Sequence, residues 1–367
     1  MDAVSAVAPP EVRPEAGLAA PPLRILMVSD AWYPQVNGVV RTVSRLCDAL
    51  GAMGHTVGIV GPHLFRTMPC PTYPEIRLSI LPGSRLNRLI EHFRPDALHI
   101  VTEGPLGLAA RRWALRNGQC FTSSFHTRFP EYIRARTGFP MGVPYRFLRW
   151  FHDAAALTLV PTASLQEELQ GRGFMRLECW TRGVDADRFH PEAAAIDWQA
   201  MYDVRGPYLL YVGRVAVEKN LEAFLSLDLP GTRIVVGDGP DRVALAARYP
   251  DVLFTGYLTG PDLAAAYAAS DVFVFPSVTD TFGLVILEAL ACGVPVAAFD
   301  VTGPRDILPP GISAVGAIGP DLRRNILAAL NADRVACRAH AARFSWEACA
   351  RMFLDAVIRA QRVGRTV

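Results

Sequence analysis

A single lysine, Lys219, stands among 37 cationic side chains, and all the others are arginine. It closes the segment Gly213-Arg214-x-x-x-x-Lys219-Asn220, directly after the apolar run Tyr208–Val212, which reads as a strand. An ammonium is a compact point charge with three rotatable donors, whereas a guanidinium is a planar fork. Arg214 and Lys219, set just past a strand's carboxyl end, suit a phosphate in the crevice of an open α/β sheet. Taken alone, the lysine fits equally well as a solvent-facing remnant of an arginine-biased composition. The residues around it favour the phosphate.

A second segment, Phe275 to Ala289, carries two acids eight residues apart, Asp280 and Glu288, with Phe282-Gly283-Leu284 between them. Gly283 and the first N–H groups of a helix starting there can approach a ligand closely. Glu288, about a turn into that helix, can accept both hydroxyls of a ribose, as acids do in nucleotide-binding α/β folds. Amid Leu287, Ala289 and Leu290 its carboxylate needs a partner. The structural alternative has Glu288 capping its own helix or paired with an arginine.

Other signals are weaker. Gly237-Asp238-Gly239 follows a strand, where a turn calls for glycine anyway. Asp185-Ala186-Asp187 has a metal-like spacing but no third ligand nearby, and reads as a structural loop. Where a dinucleotide fold would show Gly-x-Gly-x-x-Gly, the chain runs from Trp32 to Asn37-Gly38. That argues against a nicotinamide oxidoreductase, while Asn37-Gly38 still permits a tight turn whose N–H groups face a phosphate.

The elements that must hold these residues follow from hydrophobic patterning. Arg24–Ser29 is a near-continuous apolar run, as in a strand buried on both faces of a parallel sheet. Val39, Val43, Leu46, Leu50 and Met53 then fall at helical spacing before a strand at Thr56–Val60, which makes a βαβ unit. Ala97–Val101 and Ala156–Val160 are further strands, and a second set comprises Tyr208–Val212, Arg233–Val236, Val252–Phe254, Val272–Phe275 and Val294–Ala298. Two doubly wound, Rossmann-like α/β domains facing each other across a cleft are the economical architecture. The expected division is a disordered leader over 1–22, an N-terminal domain over 23–190, a linker over 191–206, a C-terminal domain over 207–345 and a last helix over 346–367. That helix lines up Ala350, Phe353, Leu354, Val357 and Ile358, and is expected to dock back on the N-terminal domain.

A net charge of +2 argues against a nucleic-acid binder, and 20% charged with 51% apolar residues fits a soluble globular enzyme. Seven scattered cysteines, with no Cys-x-x-Cys pair and no zinc-like Cys/His spacing, fit a reducing cytoplasm and no structural metal. The longest apolar stretch, Phe282–Phe299, is interrupted by Glu288 and by Gly293-Val294-Pro295 and does not read as a membrane span.

The motifs taken in order resemble the retaining family 4 glycosyltransferases of the GT-B fold, over about Arg24 to Trp346. They are Asp30…Pro34…Asn37-Gly38-Val39, Ser124-Phe125-His126-Thr127, Arg182-Gly183-Val184-Asp185, Gly213-Arg214…Glu218-Lys219-Asn220, Gly237-Asp238-Gly239-Pro240 and Asp280…Phe282-Gly283…Glu288. Phe125–Tyr132 and Thr279–Gly283 are most similar to a subgroup of α-mannosyltransferases and sulfoquinovosyl- or glucuronosyl-diacylglycerol synthases. The resemblance implies transfer of a hexose, with retention, from a nucleoside-diphosphate sugar (UDP-glucose, UDP-glucuronate or GDP-mannose) to an acceptor hydroxyl such as that of diacylglycerol. It implies no cofactor and no divalent metal. By the same resemblance Arg214 and Lys219 bind the donor diphosphate, Glu288 holds the ribose, and Asp280 with the backbone of Phe282, Gly283 and Leu284 holds the sugar. His126 would sit by the reacting sugar and Gly38 under the diphosphate. The family's wider pattern has Glu where this chain has Asp280. A soluble glycan acceptor, a non-hydrolysing sugar-nucleotide epimerase and an inactive GT-B binding module are the alternatives. The motif order opposes the epimerase, and the presence of His126, Lys219 and Glu288 opposes the inactive module.

Between Pro105 and His152 eight arginines stand against one acid, Glu131. Among them Arg128, Arg134, Arg136, Arg146 and Arg149 interleave with aromatics that include Trp150. In the acceptor-side domain of the resembling family this reads as a face for an anionic membrane, where arginines snorkel and aromatics suit the interface. It places the protein peripherally on the inner face of the cytoplasmic membrane. A solvated helix face, or one that binds nucleic acid or an acidic glycan, is the competing reading.

Overall fold

Two parallel sheets, each covered by helices, make up the computed structural model, which describes residues 21–35, 37–70, 73–193 and 195–364. The leader expected over 1–22 lies outside the described residues up to position 20.

The chain begins with β1 (Arg24–Val28) and β2 (Thr56–Val60), followed by an antiparallel hairpin of β3 (Thr67–Cys70) and β4 (Tyr73–Ser79) that stands apart from the sheet. It continues with β5 (Ala97–Ile100), β6 (Phe121–Ser124), β7 (Leu157–Val160) and β8 (Leu177–Cys179), giving a parallel sheet of order β2-β1-β5-β6-β7-β8. The second sheet takes β9 (Tyr208–Val212), β10 (Thr232–Val236), β11 (Leu253–Gly256), β12 (Val272–Phe275), β13 (Val296–Ala298), β14 (Ile312–Ser313) and β15 (Gly316–Ile318). Its order is β11-β10-β9-β12-β13-β15-β14, with β14 antiparallel to β15.

In both sheets the strand order reverses beside the first strand, with β1 between β2 and β5 and β9 between β10 and β12. Ligands of such sheets bind outside the carboxyl ends at that switch point. The loop after β1 leads to Asn37-Gly38 and the loop after β9 carries Arg214 and Lys219, so the architecture puts both at a switch point.

Ile25, Leu26, Met27 and Val28 are all buried, as a strand covered on both faces requires. β6 departs from that rule and was missed by patterning. Its Thr122, Ser123 and Ser124 are buried yet polar. His99 bonds Thr122 Oγ1 at 2.8 Å and Ser124 Oγ at 3.1 Å, and Ser123 Oγ lies 2.9 Å from both His152 Nδ1 and Thr158 Oγ1. A polar strand is tolerated in a core when every group finds a partner.

The last helix, Trp346–Gly364, docks on the N-terminal domain as expected. Ala350, Phe353 and Val357 pack with Ile25, Met27, Val43 and Leu46, and Trp180 Nε1 donates to Cys349 O at 3.0 Å. Each large apolar side chain buried this way is worth about 1.5–3 kcal/mol. The chain therefore crosses between domains twice, and the crossings touch. Val184 N donates to Phe344 O at 3.0 Å, and a Cβ on Gly183 would lie 2.3 Å from Trp346 N, so only glycine lets the two segments pass.

Candidate active site

Three contacts hold the Lys219 turn against the loop after β12. Asn220 Nδ2 donates to Pro276 O at 3.1 Å, Thr279 Oγ1 to Glu218 O at 3.0 Å, and Lys219 Nζ lies 2.6 Å from Asp280 Oδ1. Burial works against the Lys219 ammonium, but the Asp280 carboxylate, with Tyr132 and Tyr211 adding, raises the amine above the ordinary lysine range. The lysine is thus a fixed positive charge held by an acid, and Arg214 stands at the start of the same loop.

Gly283 has φ +97° and caps the helix Leu284–Ala291 without a side-chain bond, so no capping side chain covers that helix's first turn. A Cβ there would also meet Ile286 Cδ1 at 2.9 Å. Phe282 turns its ring into the core toward Phe344, which leaves only its backbone for a ligand. Across the cleft, Asn37 caps the helix Gly38–Ala52 through Val40 N at 3.0 Å. A Cβ on Gly38 would meet a single side chain within 4 Å, Leu284 of the opposite domain at 3.9 Å.

Glu288 is buried and both its oxygens are engaged. Oε1 accepts from Arg41 Nη1 of the N-terminal domain at 3.0 Å, and Oε2 accepts from the Tyr267 hydroxyl at 3.0 Å. Burial pushes its carboxyl up and Arg41 and Tyr267 pull it partly back. Of the two readings of Glu288, the arginine partner is what this state displays. The pair borders a cavity of about 320 Å³ between the domains, lined also by Leu284, Thr259, Leu263 and Tyr33.

His126 reaches the same junction from the N-terminal domain, with its backbone oxygen accepting from Thr281 Oγ1 at 2.8 Å. Burial, with Arg182 nearby, keeps its imidazole neutral well below the usual histidine range. His126 Nε2 and Asp280 Oδ2 are buried with no hydrogen-bond partner among the described residues. Asp280 directly precedes the threonine that binds His126. Unmet buried polar atoms are costly, and a hydroxyl brought to this junction would offer each a partner.

Two residues of the expected acceptor face are committed elsewhere. Arg128 is buried against Glu131 at 3.5 Å and Glu168 at 2.6 Å, and Arg136 crosses the cleft to Glu218 at 3.1 Å. Neither can lie in a headgroup region, because each already serves a buried or half-buried acid. Arg134, Arg146, Arg149 and Trp150 are exposed. On the helix Gly142–His152, Val143, Phe147 and Trp150 are 58%, 41% and 52% exposed at helical spacing, and the Arg111 guanidinium stacks 3.9 Å over the Trp150 ring.

Sequence reasoning missed Arg41, Tyr267 and the Arg136–Glu218 contact. Tyr267 carried a readable signal, a lone polar-tipped ring after three alanines. Arg41 carried none, since its partner is 247 residues away. Asp185 takes its expected structural part, paired with Arg45 and accepting from Arg188 N at 3.2 Å. Among the described residues no cluster of His, Cys, Asp and Glu could hold a metal ion, and no helix is long and apolar enough to cross a membrane.

Known proteins resemble this chain in sequence and in fold. The family model "Glycosyltransferase Family 4" matches residues 36–188, and "Glycosyl transferases group 1" matches residues 206–331. The chain is 32% identical over 310 residues to a GDP-mannose-dependent alpha-mannosyltransferase of Mycobacterium tuberculosis, spanning 78% of this chain and 82% of that protein. It is 27% identical over 327 residues to an alpha-monoglucosyldiacylglycerol synthase of Acholeplasma laidlawii, spanning 75% and 79%. In three dimensions it is similar to sucrose-phosphate synthase of Thermosynechococcus elongatus, with TM-score 0.69 at 22% identity, covering 90% and 97% of the two chains.

Proposed function

This chain belongs to glycosyltransferase family 4, and from that premise we propose that it transfers a hexose from a nucleoside-diphosphate sugar to a hydroxyl of a membrane lipid such as diacylglycerol. The observation that carries the reading is the junction of His126, Asp280 and Lys219, where two buried polar atoms lack partners beside a fixed cation. A sugar offers hydroxyls to the two unmet atoms, and its diphosphate offers charge to Lys219 and Arg214. The relative named as an alpha-monoglucosyldiacylglycerol synthase supports the acceptor class, and so does the exposed row Val143, Phe147 and Trp150 flanked by Arg146 and Arg149, which suits an anionic interface.

In the transfer, the bond from the anomeric carbon to the phosphate oxygen breaks and its electron pair leaves on the diphosphate. The acceptor oxygen forms the new bond from the same face, and its proton passes to the leaving phosphate. Lys219 and Arg214 stabilise the negative charge that develops. A covalent route would need a free carboxylate at the anomeric carbon. Asp280 is tied to Lys219 through Oδ1, which favours the direct route.

The test offers labelled UDP-glucose, UDP-glucuronate and GDP-mannose with diacylglycerol vesicles and with a soluble glycan panel. Label entering the lipid phase from one donor is expected. Label in soluble products alone would discard the lipid acceptor, and no transfer from any donor would sink the reading.

A further inference from the structure

The helix Phe129–Thr137 belongs to the N-terminal domain but packs on the turn that carries Lys219 in the other domain. Arg136 Nη2 lies 3.1 and 3.3 Å from the two oxygens of Glu218, a side chain only 2% exposed, and Glu218 directly precedes Lys219. The helix is held from behind by Arg128, which ties its start to Glu131 and Glu168. Tyr132 stands one turn before Arg136, so both project from the same side of the helix. They face the phosphate turn.

The surroundings of Tyr132 agree with that placement. Burial pushes its phenol up to about 12, and the charges it senses are Lys219, Asp280, Glu218 and Arg214, all of the opposite domain. The hydroxyl keeps its proton at neutral pH and acts as a donor.

We propose that Tyr132 is a further catalytic residue, its hydroxyl donating a hydrogen bond to an anionic oxygen of the departing diphosphate beside Lys219, with Arg136 as the positioning residue that holds it there through Glu218. This rests on the glycosyltransferase reading above. Its chemical sense is that Lys219 and Arg214 both come from the C-terminal domain, so the side chains that meet charge on the leaving group otherwise lie on one side only. Tyr132 supplies a donor from the other side, and only when the domains are together. The arrangement links cleavage of the donor to closure of the cleft, and it discourages loss of sugar from an open enzyme.

The experiment measures kcat and donor KM for Tyr132→Phe, Arg136→Met, Arg136→Lys and the Tyr132→Phe/Arg136→Met double variant, with thermal melting of each. Tyr132→Phe is expected to lower kcat by on the order of 100-fold, as loss of a transition-state donor does, with donor KM within about threefold. Arg136→Met should lower kcat in the same way, and Arg136→Lys, which keeps the charge, should recover part of it. The double variant should be no worse than the poorer single one, because Arg136 acts through Tyr132. Wild-type turnover in Tyr132→Phe, or losses that multiply in the double variant, would overturn the assignment while leaving the glycosyltransferase reading intact. A wild-type protein inert with every nucleotide sugar would overturn both.

Discussion

Arg41 and Glu288 meet across the domain junction at 3.0 Å, and Tyr267 occupies the remaining carboxylate oxygen. Both oxygens of the acid expected to hold a ribose are therefore engaged, so a ribose bound there would compete with Arg41. Arg41 is about one-third exposed, so its pair with Glu288 is a weak lock rather than a sealed one.

Removing that competitor should tighten donor binding. Arg41→Met is expected to lower the donor Kd several-fold, whereas Glu288→Gln, which loses an acceptor for the ribose hydroxyls, should raise it by about tenfold. Calorimetric titration reads both. A higher Kd in Arg41→Met would mean that the guanidinium binds the donor itself.

Lys219→Ala should cut kcat by on the order of 100- to 1000-fold, since the charge it meets appears only as the glycosyl–phosphate bond breaks. The fold should persist, because Asp280 remains partly accessible to water once its partner is gone. Transfer should also continue in excess EDTA, with Lys219 and Arg214 doing the work of a cation. Chelator-sensitive turnover, or full activity in Lys219→Ala, would remove the phosphate role.

The exposed residues alone test the proposed membrane face. Replacing Arg134, Arg146 and Arg149 with Ser should release the protein from anionic vesicles in a flotation assay, and added salt should have the same effect. Phe147→Ser with Trp150→Ser should release it at low salt as well. Binding unaffected by either set would place the contact on another surface. Arg128 and Arg136 are left out because both are committed to acids of the fold.

His99 should give the protein an acid-labile core. Burial, with Arg182 and His152 adding, pushes its imidazole down to about 3. The unfolded chain takes up that proton near 6.5, so the stability His99 confers is whole above that pH and is lost as pH falls toward 3, by up to about 5 kcal/mol. Asp30, pushed up to about 6 by burial, works in the opposite direction between 6 and 3.8. The difference between wild type and His99→Gln in urea midpoint, followed from pH 7 to pH 4, isolates the histidine. An unchanging difference would show that the folded imidazole titrates normally.

The local plan of this protein was legible in its sequence. Strands from β1 to β13 that are apolar lie within one or two residues of their expected ends, because burial on both faces imposes an apolar run whatever the partner strand. The Lys219 turn, the Gly283 cap and the apolar face that carries Phe353 were legible for the same reason, since each depends on residues close together in the chain. Tertiary structure decided what depends on distant neighbours. β6 is a polar strand in the core only because His99 and His152 arrive from elsewhere to satisfy it. Arg128 and Arg136 look like Arg134 and Arg149 in sequence, yet packing buries the first against Glu168 and carries the second across to Glu218. A guanidinium binds whichever acid the fold brings within reach, and the approach of the two domains is what brings Glu288 to Arg41 and Glu218 to Arg136.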